Sequence, residues 1–172
     1  YALRLSFKTR DDTSNGIEAD SEIAWEQFPL EGSYARTAVS EKGEMKVTTN
    51  DQTLMAEGEN FTVRFNRKTG WLESFKFDSQ LLVDGPMKLS LRRPFTNNEM
   101  GAKLSKELAV WRTAEDRMRL VKFKSDHVSG SGKSILKVEA QYDIPARGSK
   151  ASFFYEVRPD GSISVSAKVS PA

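Results

Sequence analysis

Apolar residues recur at every second position along most of this chain, and that spacing constrains the fold more than any other feature. A period of two sends alternate side chains to opposite faces of an extended strand, so each run has one face to bury and one to leave in water. Tyr1, Leu3, Leu5 and Phe7 share a face against Arg4, Ser6 and Lys8, and Phe61, Val63 and Phe65 share one against Thr62, Arg64 and Asn66. Met87, Leu89 and Leu91 repeat the pattern, as do Leu136 to Ile144, Phe153 to Val157 and Ile163 to Val169. Strands of this kind need a second layer, and an antiparallel β-sandwich supplies it. The expected fold class is all-β.

Turn chemistry falls between the runs. Asp160-Gly161 reads as a tight hairpin, and Asn66 to Gly70 and Asp84-Gly85-Pro86 separate further pairs of strands. Ser129-Gly130-Ser131-Gly132-Lys133 lacks the spacing of a phosphate-binding loop and reads as a flexible connector. One stretch leaves the two-residue period: Leu104, Leu108 and Trp111 recur at i, i+4 and i+7, which predicts one short amphipathic helix near 102–114. A polar, turn-prone composition between Glu31 and Gln52, with Thr48 to Gln52 as a linker, places a domain boundary near residue 50. The expected division is 1–50 and 51–172.

Composition excludes several chemistries. The 172 residues contain no Cys and one His, so disulfide scaffolds, thiolate metal sites and cysteine nucleophiles are ruled out and a Ser-His-Asp set is nearly so. Lys and Arg (26) against Asp and Glu (24) leave a net charge of +2, which gives no field for nucleic acid or an anionic membrane surface. No apolar run approaches the roughly 20 residues of a membrane-crossing helix, and Tyr1 to Arg10 lacks the form of a signal peptide. The chain opens inside strand-like sequence without Met and ends directly after an alternating run, so it is expected to be a piece spanning a domain junction.

Carboxylates are plentiful, and hydrolysis of a glycosidic bond needs two of them roughly 5 to 9.5 Å apart across it. Glu22 and Glu26, on one face of a regular strand, would be ~13 Å apart. Glu99, in an irregular segment, reads either as a functional acid or as a solvated loop acid. Asn97 and Asn98 could bind a polar ligand or cap the helix that follows. Trp25, Trp71 and Trp111 could stack on sugar rings, but at apolar positions each is expected in a core, and His127 is expected as an exposed loop residue. Asn60-Phe61-Thr62 fits a glycosylation sequon of the kind that arises often by chance. The residues alone define no catalytic set.

Three motifs, taken together, carry a resemblance. Glu22-Ile23-Ala24-Trp25-Glu26-Gln27-Phe28 is similar to the A-W-x-Q signature of the immunoglobulin-like domain that follows the catalytic barrel in large bacterial β-galactosidases of glycoside hydrolase family two. Phe65-Asn66-Arg67-Lys68-Thr69-Gly70-Trp71-Leu72 resembles the F-[ND]-x-x-[ST]-G-x-L hairpin that opens their C-terminal sandwich. Arg93-Pro94-Phe95-Thr96-Asn97-Asn98-Glu99-Met100-Gly101 resembles their R-A-P-x-D-N-D-x-G segment, with the proline displaced to Pro94 and Asp-Asn-Asp replaced by Asn97-Asn98-Glu99.

The resemblance implies that residues 1–50 end an immunoglobulin-like sandwich and that 51–172 begin a large galactose-mutarotase-like supersandwich. It implies a retaining hydrolysis of β-galactosides carried out by two glutamates on an upstream barrel, so that this chain holds no catalytic residue. It further implies that the segment from Arg93 to Lys106 lies at the rim of the substrate site, with Arg93, Asn97, Asn98 and Glu99 as candidates. No cofactor is expected in this chain, although the parent enzyme would accept divalent and monovalent cations. The implied partners are the galactoside, the barrel of the same polypeptide and identical subunits, with neither nucleic acid nor membrane. The alternatives are a stand-alone carbohydrate-binding β-sandwich and a purely structural interaction domain.

Overall fold

The computed structural model describes residues 2–10, 16–30 and 39–171, and the chain divides into two compact units, Tyr1–Ala38 and Val39–Ala172. In the first unit, β1 (Ala2–Lys8) and β2 (Glu22–Pro29) form an antiparallel ribbon. An irregularity between Phe7 and Lys8 breaks the simple alternation. Glu22 therefore reaches Arg4 (2.9 Å) and Ser6, whereas Glu26 stands opposite Leu5. The two acids do not share a face as their even spacing predicts. No second layer covers the ribbon among the described residues of this unit, so Trp25, expected in a core, is 57% exposed with the Arg4 guanidinium 5.2 Å above its ring.

The second unit contains two antiparallel sheets. One has five strands in sequence order: β3 (Lys46–Thr49), β4 (Thr53–Glu57), β5 (Phe61–Asn66), β6 (Leu72–Phe77) and β7 (Gln80–Asp84). The other has four: β8 (Arg119–Gly130), β9 (Lys133–Asp143), β10 (Lys150–Val157) and β11 (Ile163–Ser170), each paired with the next. Alternation works as expected here. Leu54 and Ala56 face the same side as Phe65 and Val63, and Leu136, Val138, Ala140 and Tyr142 share a side with Val157, Tyr155, Phe153 and Ala151. All of these are buried in one common core. Fully burying a Val, Leu or Phe side chain among them contributes roughly 1.5–3 kcal/mol. The two inner faces meet through aromatic rings: Phe65 against Tyr155 edge-on at 5.1 Å, and Trp71 stacked on Tyr142 at 4.2 Å.

The hairpin at 66–70 shows why its sequence is what it is. The Asn66 side-chain oxygen accepts from the backbone amides of Lys68 (2.8 Å) and Thr69 (3.0 Å), and its amide group donates to Glu73 (2.8 Å). Gly70 closes the turn at φ +78°, and a β-carbon there would lie 2.4 Å from the Tyr142 hydroxyl. The flanking Phe65 and Leu72 are buried.

Four expectations change. The stretch 48–52 is a hairpin turn, because the Asn50 side chain accepts from the amides of Gln52 (2.9 Å) and Thr53 (2.8 Å) and so joins β3 to β4. The two units accordingly divide a dozen residues before position 50, and part of the composition shift, 31–38, lies outside the described residues. Residues 40–43 are stitched to the four-stranded sheet through Gly43 N to Gly132 O (3.1 Å), Ser134 N to Glu41 O (3.2 Å) and Ser40 N to the Asp160 carboxylate (2.6 Å). Met87 to Leu91 form no strand. Their amides are taken by other groups, Met87 donating to Leu72 O (2.9 Å) and Leu91 to the Glu115 carboxylate (2.7 Å), while Leu89 and Leu91 still pack inward as the alternation predicts.

At 129–133 the expected flexible loop is a tight two-residue hairpin with Ser131 and Gly132 both at positive φ. His127 consequently sits on a strand, its Nε2 2.8 Å from the hydroxyl of the buried Ser134. Finally, the single helix near 102–114 is replaced by α1 (Asn97–Gly101), α2 (Leu104–Glu107) and 3₁₀ turns at Ala109–Arg112 and Glu115–Arg117. Lys103, left-handed at φ 60°, ends the helical run between α1 and α2.

Candidate functional site

The segment between the two sheets, 91–117, holds the four rim candidates Arg93, Asn97, Asn98 and Glu99. It is anchored at both ends. Glu115 accepts from the Leu91 amide and from the Arg92 guanidinium, and these contacts, the Leu91 bond foremost, hold its carboxyl below the usual range. Arg92 also faces Asp116 at 3.6 Å. Ala114, fully buried, is the point at which the turns enter the core.

Thr96 starts α1 with a capping box: its hydroxyl accepts from the Glu99 amide (3.3 Å) while the Glu99 carboxylate accepts from the Thr96 amide (2.8 Å). The same carboxylate takes both arms of the Arg93 guanidinium, one at 2.9 Å. With the Arg93 bonds foremost and the Thr96 amide next, the Glu99 carboxyl is drawn down to about 2. Arg93 is raised in turn by the same contact. Glu99 is thus an ionised cap and clasp, with both oxygens engaged inside the segment. It is neither a free loop acid nor poised to donate a proton at neutral pH.

Asn97 and Asn98 stand apart from this clasp. Both are exposed in the first turn of α1, and neither side-chain amide bonds another described residue. The structure therefore sorts the four candidates into a pair that holds the turn and a pair that is available. Thr96 was missed by sequence reasoning, yet Thr96-Asn97-Asn98-Glu99 is a capping-box pattern that could have revealed it.

Beside the clasp lies a cavity of about 270 Å³ walled by Phe95, Leu108 and Trp111, with Arg92, Arg93 and Arg112 in its lining. Trp111 is half-buried there, while Trp71 is buried in the core. His127 has a hydroxyl partner but no carboxylate bonded to its ring among the described residues, so no triad forms. Among the described residues no three His, Asp or Glu side chains stand close enough to share a metal ion.

A family model described as beta galactosidase small chain matches residues 57–172, which include the 66–70 hairpin, the clasp, the four-stranded sheet and strands β5 to β7 of the other. The chain belongs to this family. A beta-galactosidase of Priestia megaterium (strain DSM 319 / IMG 1521) is 31% identical over 115 residues, covering 66% of this chain and 11% of the relative. A beta-galactosidase of Streptococcus thermophilus is 26% identical over 137 residues, covering 74% of this chain and 13% of the relative. The chain thus spans about an eighth of the length of these relatives. The family match encloses Arg93, Asn97, Asn98, Glu99 and the cavity beside them.

Proposed function

We propose that this chain is a non-catalytic portion of a β-galactosidase that hydrolyses terminal β-D-galactosyl residues. The first unit, Tyr1–Ala38, ends an immunoglobulin-like linker domain, and the second, Val39–Ala172, begins the C-terminal sandwich that braces an upstream catalytic barrel. The reaction, a retaining hydrolysis of glycoside hydrolase family two, is carried out by two glutamates on that barrel. Any cation requirement belongs to the same parent, which assembles from identical subunits. Segment 93–101 forms part of the rim of the substrate site.

The observation that carries the rim reading is the division of labour in that segment. Arg93 and Glu99 fix the turn, and Asn97 and Asn98 present unpartnered amides from it. An amide can donate and accept, which suits sugar hydroxyls. Asn98→Ala or Asn97→Ala in the full-length parent is expected to lower kcat/KM up to about tenfold, the equivalent of one lost hydrogen bond of up to about 1.4 kcal/mol. Unaltered turnover and unaltered substrate affinity in both variants would overturn this reading.

A second reading, carbohydrate binding by the sandwich itself, is favoured by Trp111, which is half-buried and lines a cavity beside polar groups.

A further inference from the structure

We propose that the cavity beside α1 binds a single sugar ring carrying a carboxylate. The ring rests on the carbohydrate-binding reading above; the carboxylate rests on the charges of the cavity. All three charged residues in its lining are arginines, and they are not equivalent. Arg93 is neutralised by Glu99, and Arg92 by Glu115 with Asp116 nearby. Arg112 has no ion pair or hydrogen bond through its guanidinium among the described residues. A planar guanidinium offers two parallel N–H donors to one carboxylate, a match that neither a hydroxyl nor a point charge reproduces.

The remaining walls set the rest of the ligand. Phe95, Leu108 and Trp111 give an apolar surface with two aromatic rings, against which the C–H face of a pyranose can lie. The volume of about 270 Å³ is just below the ~300–1,000 Å³ of sites for larger ligands, so it suits one ring in place of an oligosaccharide. A neutral sugar would leave Arg112 unmatched, and a bare small anion would leave Trp111 uncovered. A uronic acid satisfies both.

The test is a titration of the 172-residue chain with D-galacturonate, D-galactose and acetate, following the indole N–H signal of Trp111 by NMR, assigned with Trp111→Phe. Galacturonate is expected to shift that signal with a Kd at least tenfold below those of galactose and acetate, and added salt is expected to weaken galacturonate alone. Arg112→Gln should abolish the tenfold advantage, and Arg112→Lys should keep only part of it. Arg112 is exposed, and matching far-UV circular dichroism verifies that each variant is folded. Galactose or acetate binding as tightly as galacturonate, or no shift with any of the three, would overturn the proposal. These outcomes are separate from the rim reading, which stands or falls on the kinetics of the Asn97 and Asn98 variants in the parent enzyme.

Discussion

The hydroxyl of Tyr142 lies 2.4 Å from where a β-carbon on Gly70 would be, so the turn of one sheet can approach the other only because residue 70 has no side chain. Tyr142 is 1% exposed, its oxygen has no hydrogen-bond partner among the described residues, and burial pushes its ionisation far above the ordinary phenol value. Gly70→Ala adds left-handed strain and overpacking, for an expected loss of roughly 2–4 kcal/mol in urea unfolding. Tyr142→Phe removes the closest contact and a buried unpaired hydroxyl, so it should recover part of that loss in the double variant. Additive effects of the two substitutions would contradict this coupling.

Glu99 should report its clasp through pH. Its folded value, about 2, lies below the ~4.3 of a free glutamate, so its contribution is complete above that ordinary value and is lost as pH falls towards 2. An NMR titration of its carboxyl carbon is expected to have a midpoint near 2. Arg93→Ala removes the largest cause and should move the midpoint upward. A midpoint that does not respond would show that Arg93 is not the partner in solution.

Strand β11 predicts self-association. Val165, Ala167 and Val169 pair with Tyr155, Phe153 and Ala151 and so face the same side as the core, yet Val165 is 48% and Val169 40% exposed. An edge strand with an apolar face recruits another strand. The chain is expected to associate with increasing concentration, and the combined Val165→Lys and Val169→Lys variant to stay monomeric in sedimentation velocity. Equal association of the variant would assign the contact elsewhere.

The pure chain is expected to release no chromophore from a chromogenic β-galactoside. Its best-placed acid in the rim segment, Glu99, is held ionised and has both oxygens engaged. Turnover by the pure chain would refute the assignment of the catalytic glutamates to an upstream barrel.

Where a residue's role depends on its nearest neighbours in sequence, the sequence was legible. Phe61, Val63 and Phe65 alternate into the core as read, and the Asn66 to Gly70 turn follows from an asparagine that caps it and a glycine at its end. Partners far along the chain were not legible. Leu91 is drawn out of a ladder by Glu115, 24 positions away, and residues 40–43 are tied to Gly132, Ser134 and Asp160. The apolar spacing of Leu104, Leu108 and Trp111 is real, but spacing cannot reveal a left-handed Lys103. Glu99 lacks the freedom expected of a solvated loop acid, because its bonds to Arg93 depend on a fold of the loop that no periodicity encodes.

The left-handed residue at 103 also sets how the cavity can behave in time. It cuts the region into helical pieces of three to five residues, none of which contains a buried side chain, beside sheets with a continuous core. Short turns held by few apolar contacts open at low free-energy cost, independently of the rest of a domain. Amide hydrogens from 104 to 112 should therefore exchange long before those of β9 and β10. A ligand held by Trp111 and Arg112 would then act as the missing brace, slowing exchange in this stretch alone.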